Sequence, residues 1–195
     1  MRFHNSLEEI LGNPVRLKVL RVLVRSVGTG LTGRELARRV SASTSQTITA
    51  LEQLERSGVV HREIAGRAHL WFISADHVLS GTLARLFAEE AGSLDLLKRD
   101  LKVAIGKLPV RRAWLFGSIA RGDERLTSDV DLFVEVRSRA KRKNVEDSLS
   151  GLSAEFARRF GNPLSTIVVD SARIRSRATS DLLVRVQKEG LPLAE

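Results

Sequence analysis

Residues Trp114–Val134 read WLFGSIARGDERLTSDVDLFV. An apolar Trp114-Leu115-Phe116 runs into Gly117-Ser118, a polar loop follows, and Asp129-Val130-Asp131 sits inside a second apolar run. This is the pattern of a buried strand, a glycine turn with a short helix over Ile119–Arg121, and a second strand. On that second strand side chains alternate, so Asp129, Asp131, Phe133 and Glu135 share one face and Val130, Leu132 and Val134 the other. The two aspartates then lie roughly 6.5 to 7 Å apart at Cα. Their repulsion is about 2.5 kcal/mol at an effective dielectric of ~20, but about 0.6 kcal/mol in water. In a cleft such a pair calls for a counter-charge. Mg²⁺ (or Mn²⁺) suits it, being content with one or two carboxylates plus substrate phosphates.

Working outward, the 195 residues accommodate one large domain or two small ones, and 43% hydrophobic content is that of a globular chain. A net charge of +9 favours a polyanionic partner: nucleic acid, a nucleotide or an anionic membrane surface. Cysteine is absent, which excludes disulfides and thiolate metal sites, and the lack of tyrosine excludes tyrosine self-modification. No apolar run approaches the ~20 residues of a membrane span. The N-terminal MRFHNSLEEILGNP does not read as a signal peptide, because acids interrupt it; a cytoplasmic protein is expected.

Ahead of the quoted stretch the chain is punctuated by helix caps. Asn13-Pro14 opens a helix through Val15, Val19, Val22 and Leu23. Thr32 with Glu35, and Ser43 with Gln46, are capping boxes opening two more, through Leu36 and Val40 and through Ile48, Leu51 and Leu54. Val59–Ile64 and Leu70–Ile73 alternate around Ala65-Gly66-Arg67, as a hairpin does. Residues 16 to 67 hold ten Lys or Arg against four Glu. His61 and His69 face each other only if the hairpin register allows it.

Helix, short helix, longer helix and hairpin, with TGRELARRVSASTSQTITALEQLERSGVV at the centre, resembles the winged helix-turn-helix of ArsR- and MarR-type regulators over about residues 12 to 75. The resemblance implies a recognition helix over Ser43–Leu54 whose first turns face the major groove of double-stranded DNA. It offers Thr44, Ser45, Gln46, Thr47 and Thr49 to base edges and phosphates, with Arg62 and Arg67 as phosphate contacts from the wing. Winged domains also serve as protein-interaction modules.

Residues 76 to 110 read as a helical segment, capped by Asp76 and able to kink or split at Gly92-Ser93. It is a linker, a homodimer interface or a helix packed on its own winged domain. Beyond Pro109, a helix is expected from about Arg139 to Phe160 (Val145, Leu149, Leu152, Phe156), ended by Gly161-Asn162-Pro163. A strand over Ser165–Val169 and a last helix, Asp181–Glu189, capped by Ser180, complete the chain. Lys141-Arg142-Lys143 is a basic cluster that reads either as a nucleic-acid patch or as a solvated helix start.

LFGSIARGDERLTSDVDLFV resembles the signature of the DNA polymerase beta superfamily, and the minimal nucleotidyltransferases in particular, with Ala-Arg-Gly-Asp at Ala120–Asp123. The resemblance implies a nucleoside triphosphate held by Gly117, Ser118 and a helix N-terminus with Arg121 near its phosphates, metal on Asp129 and Asp131, and in-line attack of a hydroxyl on the α-phosphate. Active members carry a third carboxylate on a neighbouring strand. Here that position aligns with Ile167 or Thr166. Asp170 is the nearby substitute as third catalytic acid, and Glu135 a distant second.

The expected fold is α+β. A winged-helix domain occupies residues 1–75, a helical segment 76–110, and a small mixed-sheet nucleotidyltransferase domain 111–195. The functional expectation is a DNA-binding protein with a nucleotide- and Mg²⁺-binding domain that transfers a nucleoside monophosphate to a hydroxyl. The alternative is a transcriptional regulator whose nucleotidyltransferase domain is catalytically degenerate.

Overall fold

A computed structural model describes residues 13–174 and 176–194. The chain divides into two compact units, residues 5–91 and 92–195. Together they give an α+β fold with two separate sheets.

In the first unit, α1 (Pro14–Arg25), α2 (Gly33–Val40) and α3 (Thr44–Arg56) pack around one core. Each begins where the sequence places a cap. Asn13 Oδ1 accepts from the Arg16 amide at 3.0 Å, and Thr32 Oγ1 from the Glu35 amide at 3.2 Å. At the start of α3, Ser43 Oγ accepts from the Gln46 amide at 3.2 Å while Gln46 Oε1 accepts from the Ser43 amide at 3.3 Å, completing a capping box. The hairpin β2 (Val60–Ala65) and β3 (Ala68–Ile73) is joined by the two-residue β1 (Leu31–Thr32) in an antiparallel sheet of order β1-β3-β2. Three helices and a winged hairpin are thus present. The register pairs His61 with Phe72 and His69 with Ile64, so the two histidines do not face each other.

Helix α4 (Ser80–Gly106) begins four residues after Asp76 and runs without a break through Gly92-Ser93. Its first part gives Phe87 to the winged core, and its later turns give Leu97, Leu101 and Ile105 to the core of the second unit. Solitary polar or glycine residues do not stop a helix whose neighbouring turns are both buried.

The second unit is built on a four-stranded sheet of order β6-β5-β4-β7, formed by β4 (Val110–Phe116), β5 (Val130–Val136), β6 (Leu164–Val169) and β7 (Leu191–Ala194). Helix α5 (Gly117–Arg121) follows β4, and α6 (Arg139–Phe160) connects β5 to the parallel β6. One sheet face, with Ala113, Leu115, Leu132 and Val134, packs with α6 and the end of α4. Trp114, Phe133 and Val169 on the other face pack with Val186 of α8 (Arg177–Glu189), which follows the single turn α7 (Ser171–Ile174). The last helix therefore starts four residues before Asp181, with Ser176 rather than Ser180 at its N-cap. Strand β7 is absent from the sequence reading because Pro192 interrupts it. It tolerates the proline as an edge strand, pairing among the described residues with β4 alone. Among the described residues no helix is long and apolar enough to cross a membrane.

Candidate functional site

Strand β4 delivers Phe116 opposite Asp131 of β5, so the glycine turn and the aspartate pair meet at one end of the sheet. Gly117 has φ +76°, and a Cβ built on it would fall on the Asp131 carboxylate. The residue is glycine for both reasons: the left-handed backbone and the carboxylate lying flush against it. Ser118 follows in the first turn of α5, half-buried, and its carbonyl accepts from the Asp123 amide at 3.1 Å. The loop into β5 is pinned by a residue the sequence reading treated only as a helix end. Fully buried Asn162 donates from Nδ2 to the Ser128 carbonyl at 2.6 Å, and the Val130 amide donates to the Pro163 carbonyl at 2.8 Å. Asn162 thereby fixes the backbone on which Asp129 stands.

Asp129 is exposed and Asp131 half-buried. Burial, and then the Asp129 charge, push the Asp131 carboxyl above the ordinary carboxylate range, while nearby Arg121 opposes them. Arg121 is shared: Nε lies 3.2 Å from Asp123 Oδ2 and Nη1 3.7 Å from Glu189 Oε2. A divalent cation fits this setting, because two carboxylates at one strand end repel and the glycine turn leaves Asp131 open. Among the described residues no group of three or more His, Cys, Asp or Glu converges on a metal position. Two carboxylates alone leave most of a divalent cation's ligand positions to other oxygens.

The pKa direction gives a stability prediction. A carboxyl whose folded pKa is raised holds more protons in the fold than in the unfolded chain. Stability therefore falls as pH rises from the unfolded value of 3.8 through the raised one. Asp131→Asn should make the protein, with no divalent cation added, slightly more heat-stable at pH 7. The gain should lie nearer about 0.6 than 2.5 kcal/mol, because Asp129 is in water. A lower melting temperature for this variant would count against the repulsion.

The third acid is not supplied by either substitute. Parallel pairing puts Ser165 beside Asp131 and Ile167 beside Phe133, on the same face. Thr166 pairs with Leu132 on the opposite face, so Ser165, not Thr166, neighbours Asp131. Asp170 lies five residues beyond Ser165, about 16 Å along the strand. It is buried at 4% exposure, and its Oδ1 accepts from the Arg173 amide at 3.0 Å, capping α7. Glu135 is buried and bound by two arginines, Arg112 Nε at 2.5 Å and Arg111 Nη1 at 3.1 Å. Neither carboxylate belongs to the Asp129–Asp131 end.

In the winged unit, Thr44, Ser45, Gln46 and Thr49 are exposed on α3, though the Gln46 carboxamide oxygen is engaged by the cap. Thr47 is not on that surface. It is fully buried and its Oγ1 donates to the Ser43 carbonyl at 2.9 Å. Thr47→Ala should therefore cost stability, on the order of 1 kcal/mol, and leave base preference unchanged; a changed preference at unchanged melting temperature would refute this placement. Arg67 is exposed at the hairpin tip. Arg62 is held by Glu55 Oε1 at 3.2 Å and lies 5.7 Å from the Trp71 ring centre. Arg62 and Arg67 line a cleft of about 650 Å³ between α3 and the hairpin, together with Arg34, Glu52 and His69, which the sequence reading did not select.

Comparison with known proteins gives a partial match. No curated protein matches the chain. Among solved structures, MepR, a transcription regulator of the Staphylococcus aureus multidrug efflux pump MepA, is 18% identical, with a TM-score of 0.40 over 54% of this chain and 73% of that one. A MarR-family transcriptional regulator from Silicibacter pomeroyi is 17% identical, with a TM-score of 0.39 over 53% and 75%. These likenesses are too loose to assign a partner. Residues 96–188 match the family model described as "Nucleotidyltransferase domain", a span that holds the Gly117 turn, both aspartates and Arg121.

Proposed function

We propose that this is a DNA-binding regulator whose nucleotidyltransferase-type domain holds a nucleoside triphosphate with a divalent cation but does not turn it over. Gly117 and Ser118 give the turn that receives the phosphates, Arg121 faces them, and Asp129 with Asp131 holds the cation. The cation would screen phosphate charge and join the nucleotide to the carboxylates. The observation that carries this reading is the neighbour of Asp131 on β6: Ser165, with Asp170 about 16 Å away. Binding needs a carboxylate pair; activating an attacking hydroxyl needs a further base, and none stands on that face of β6. The exposed start of α3, with Thr44, Ser45, Gln46 and Thr49, meets base edges and phosphates in the major groove, and Arg67 meets the backbone.

Calorimetric titration with each of the four ribonucleoside triphosphates tests the nucleotide site. At least one should bind in Mg²⁺ and lose that binding in EDTA and in Asp129→Ala/Asp131→Ala. Binding of equal strength with and without the two aspartates would refute the assignment.

A further inference from the structure

At the far end of β5 from the aspartate pair lies a second charged surface. Arg137, Arg139, Lys141, Arg142 and Lys143 give five cations in seven residues. Arg137 follows the end of β5, six residues from Asp131, or about 20 Å along an extended strand. It therefore lies apart from the nucleotide site. Four of the five open helix α6, which has no acidic residue in its first turn and whose N-cap, Ser138, makes no side-chain cap bond.

That placement runs against the helix. The N-terminus of an α-helix carries positive partial charge and unpaired amides, so acids stabilise it and cations oppose it. A first turn with no acid and four cations among its first five residues weakens the helix it begins. Arg142 is offset by Glu146 at 3.4 Å. Arg139, Lys141 and Lys143 are exposed and have no acidic partner among the described residues. An arrangement that costs helix stability and stays solvated has a ready use in binding a polyanion, where charge and dipole act in the same direction. A membrane suits it less well, since the large exposed hydrophobics are absent from α6 and an interfacial helix needs an apolar face.

We infer that the start of α6, with Arg137, Arg139, Lys141 and Lys143, is a nucleic-acid backbone contact in the nucleotidyltransferase unit, separate from the winged unit's DNA surface. Its chemistry is phosphate recognition without base reading, so it adds affinity and salt dependence but no sequence preference.

The full chain and its Arg139→Gln/Lys141→Gln/Lys143→Gln variant should be titrated with a duplex of about 30 base pairs of arbitrary sequence, from about 0.05 to 0.4 M salt. Three lost contacts at about 0.9 each should reduce the slope of log K against log salt by about 2.7, with at least about a tenfold loss at the lowest salt. The melting temperature should hold or rise, since the removed charges oppose the helix dipole, so a folding defect is recognisable. Arg67→Ala, assayed in parallel, separates the two surfaces. Loss in the triple variant without loss in Arg67→Ala leaves the patch standing and refutes the winged-helix contact. An unchanged slope and affinity in the triple variant would overturn the inference. So would a variant that binds the duplex normally but loses vesicles containing phosphatidylserine.

Discussion

Gly117→Ala is expected to cost about 2–5 kcal/mol of stability and to abolish the Mg²⁺-dependent nucleotide binding proposed above. Two effects add. At φ +76° an alanine sits in the left-handed region, which costs an L-residue roughly 1–2 kcal/mol. Its Cβ would also fall on the Asp131 side chain, which must then swing away or carry β5 with it. Overpacking of this kind costs on the order of 1–3 kcal/mol. The second effect is separable. In an Asp131→Ala background the carboxylate is gone and only the residue-131 Cβ stays close, at 3.2 Å, so Gly117→Ala should cost less, nearer the backbone part of about 1–2 kcal/mol. Chemical denaturation of the four proteins of this cycle measures the coupling. A single substitution costing under about 0.5 kcal/mol, or no coupling between the sites, would mean that Asp131 does not rest against the turn.

The second large effect lies in the winged unit. Glu90→Ala should destabilise it by about 3–5 kcal/mol, because it removes one half of a buried, doubly hydrogen-bonded ion pair. Arg21 of α1 donates from Nε to Glu90 Oε2 at 2.8 Å and from Nη2 to Oε1 at 3.0 Å, with both side chains under a tenth exposed. The Arg21 guanidinium also lies 5.7 Å from the centre of the Phe87 ring. A paired replacement, Arg21→Met with Glu90→Leu, should recover most of the loss, since buried ion pairs replaced by apolar residues of similar volume are often neutral. Glu90→Ala melting within a degree of the parent would show that the pair is open to water.

Much of this was legible in the residues. The caps of α1, α2 and α3 were visible as a side-chain oxygen three residues before an amide it could accept from, and α6 as an apolar period closed by Gly161-Asn162-Pro163. The resemblance to the nucleotidyltransferase signature located the turn and the aspartate pair. Other features were legible but misread. Thr47 stands three, four and seven residues before Ala50, Leu51 and Leu54, which places it on the buried stripe of α3; choosing contacts by residue type alone ignored that period. Asp170 was also decidable. A strand, a 22-residue helix and a second strand form a crossover, which makes β5 and β6 parallel. The end of β6 must then lie beside the end of β5, away from Asp131 at its start. What the sequence could not supply was tertiary. Strand β7 is four residues long and one of them is a proline, and the hold of Asn162 on the Ser128 carbonyl spans 34 residues.

On the proposed function, the Gly117–Asp131 site binds a nucleotide without transferring it. The most direct measurement incubates the protein with Mg²⁺ and a triphosphate labelled at the α-phosphate, captures the protein on a filter, and identifies the retained label. Label should be retained by the parent and lost from Asp129→Ala/Asp131→Ala, all of it recovered as intact triphosphate. Label recovered as monophosphate attached to protein or nucleic acid, with pyrophosphate released, would contradict it.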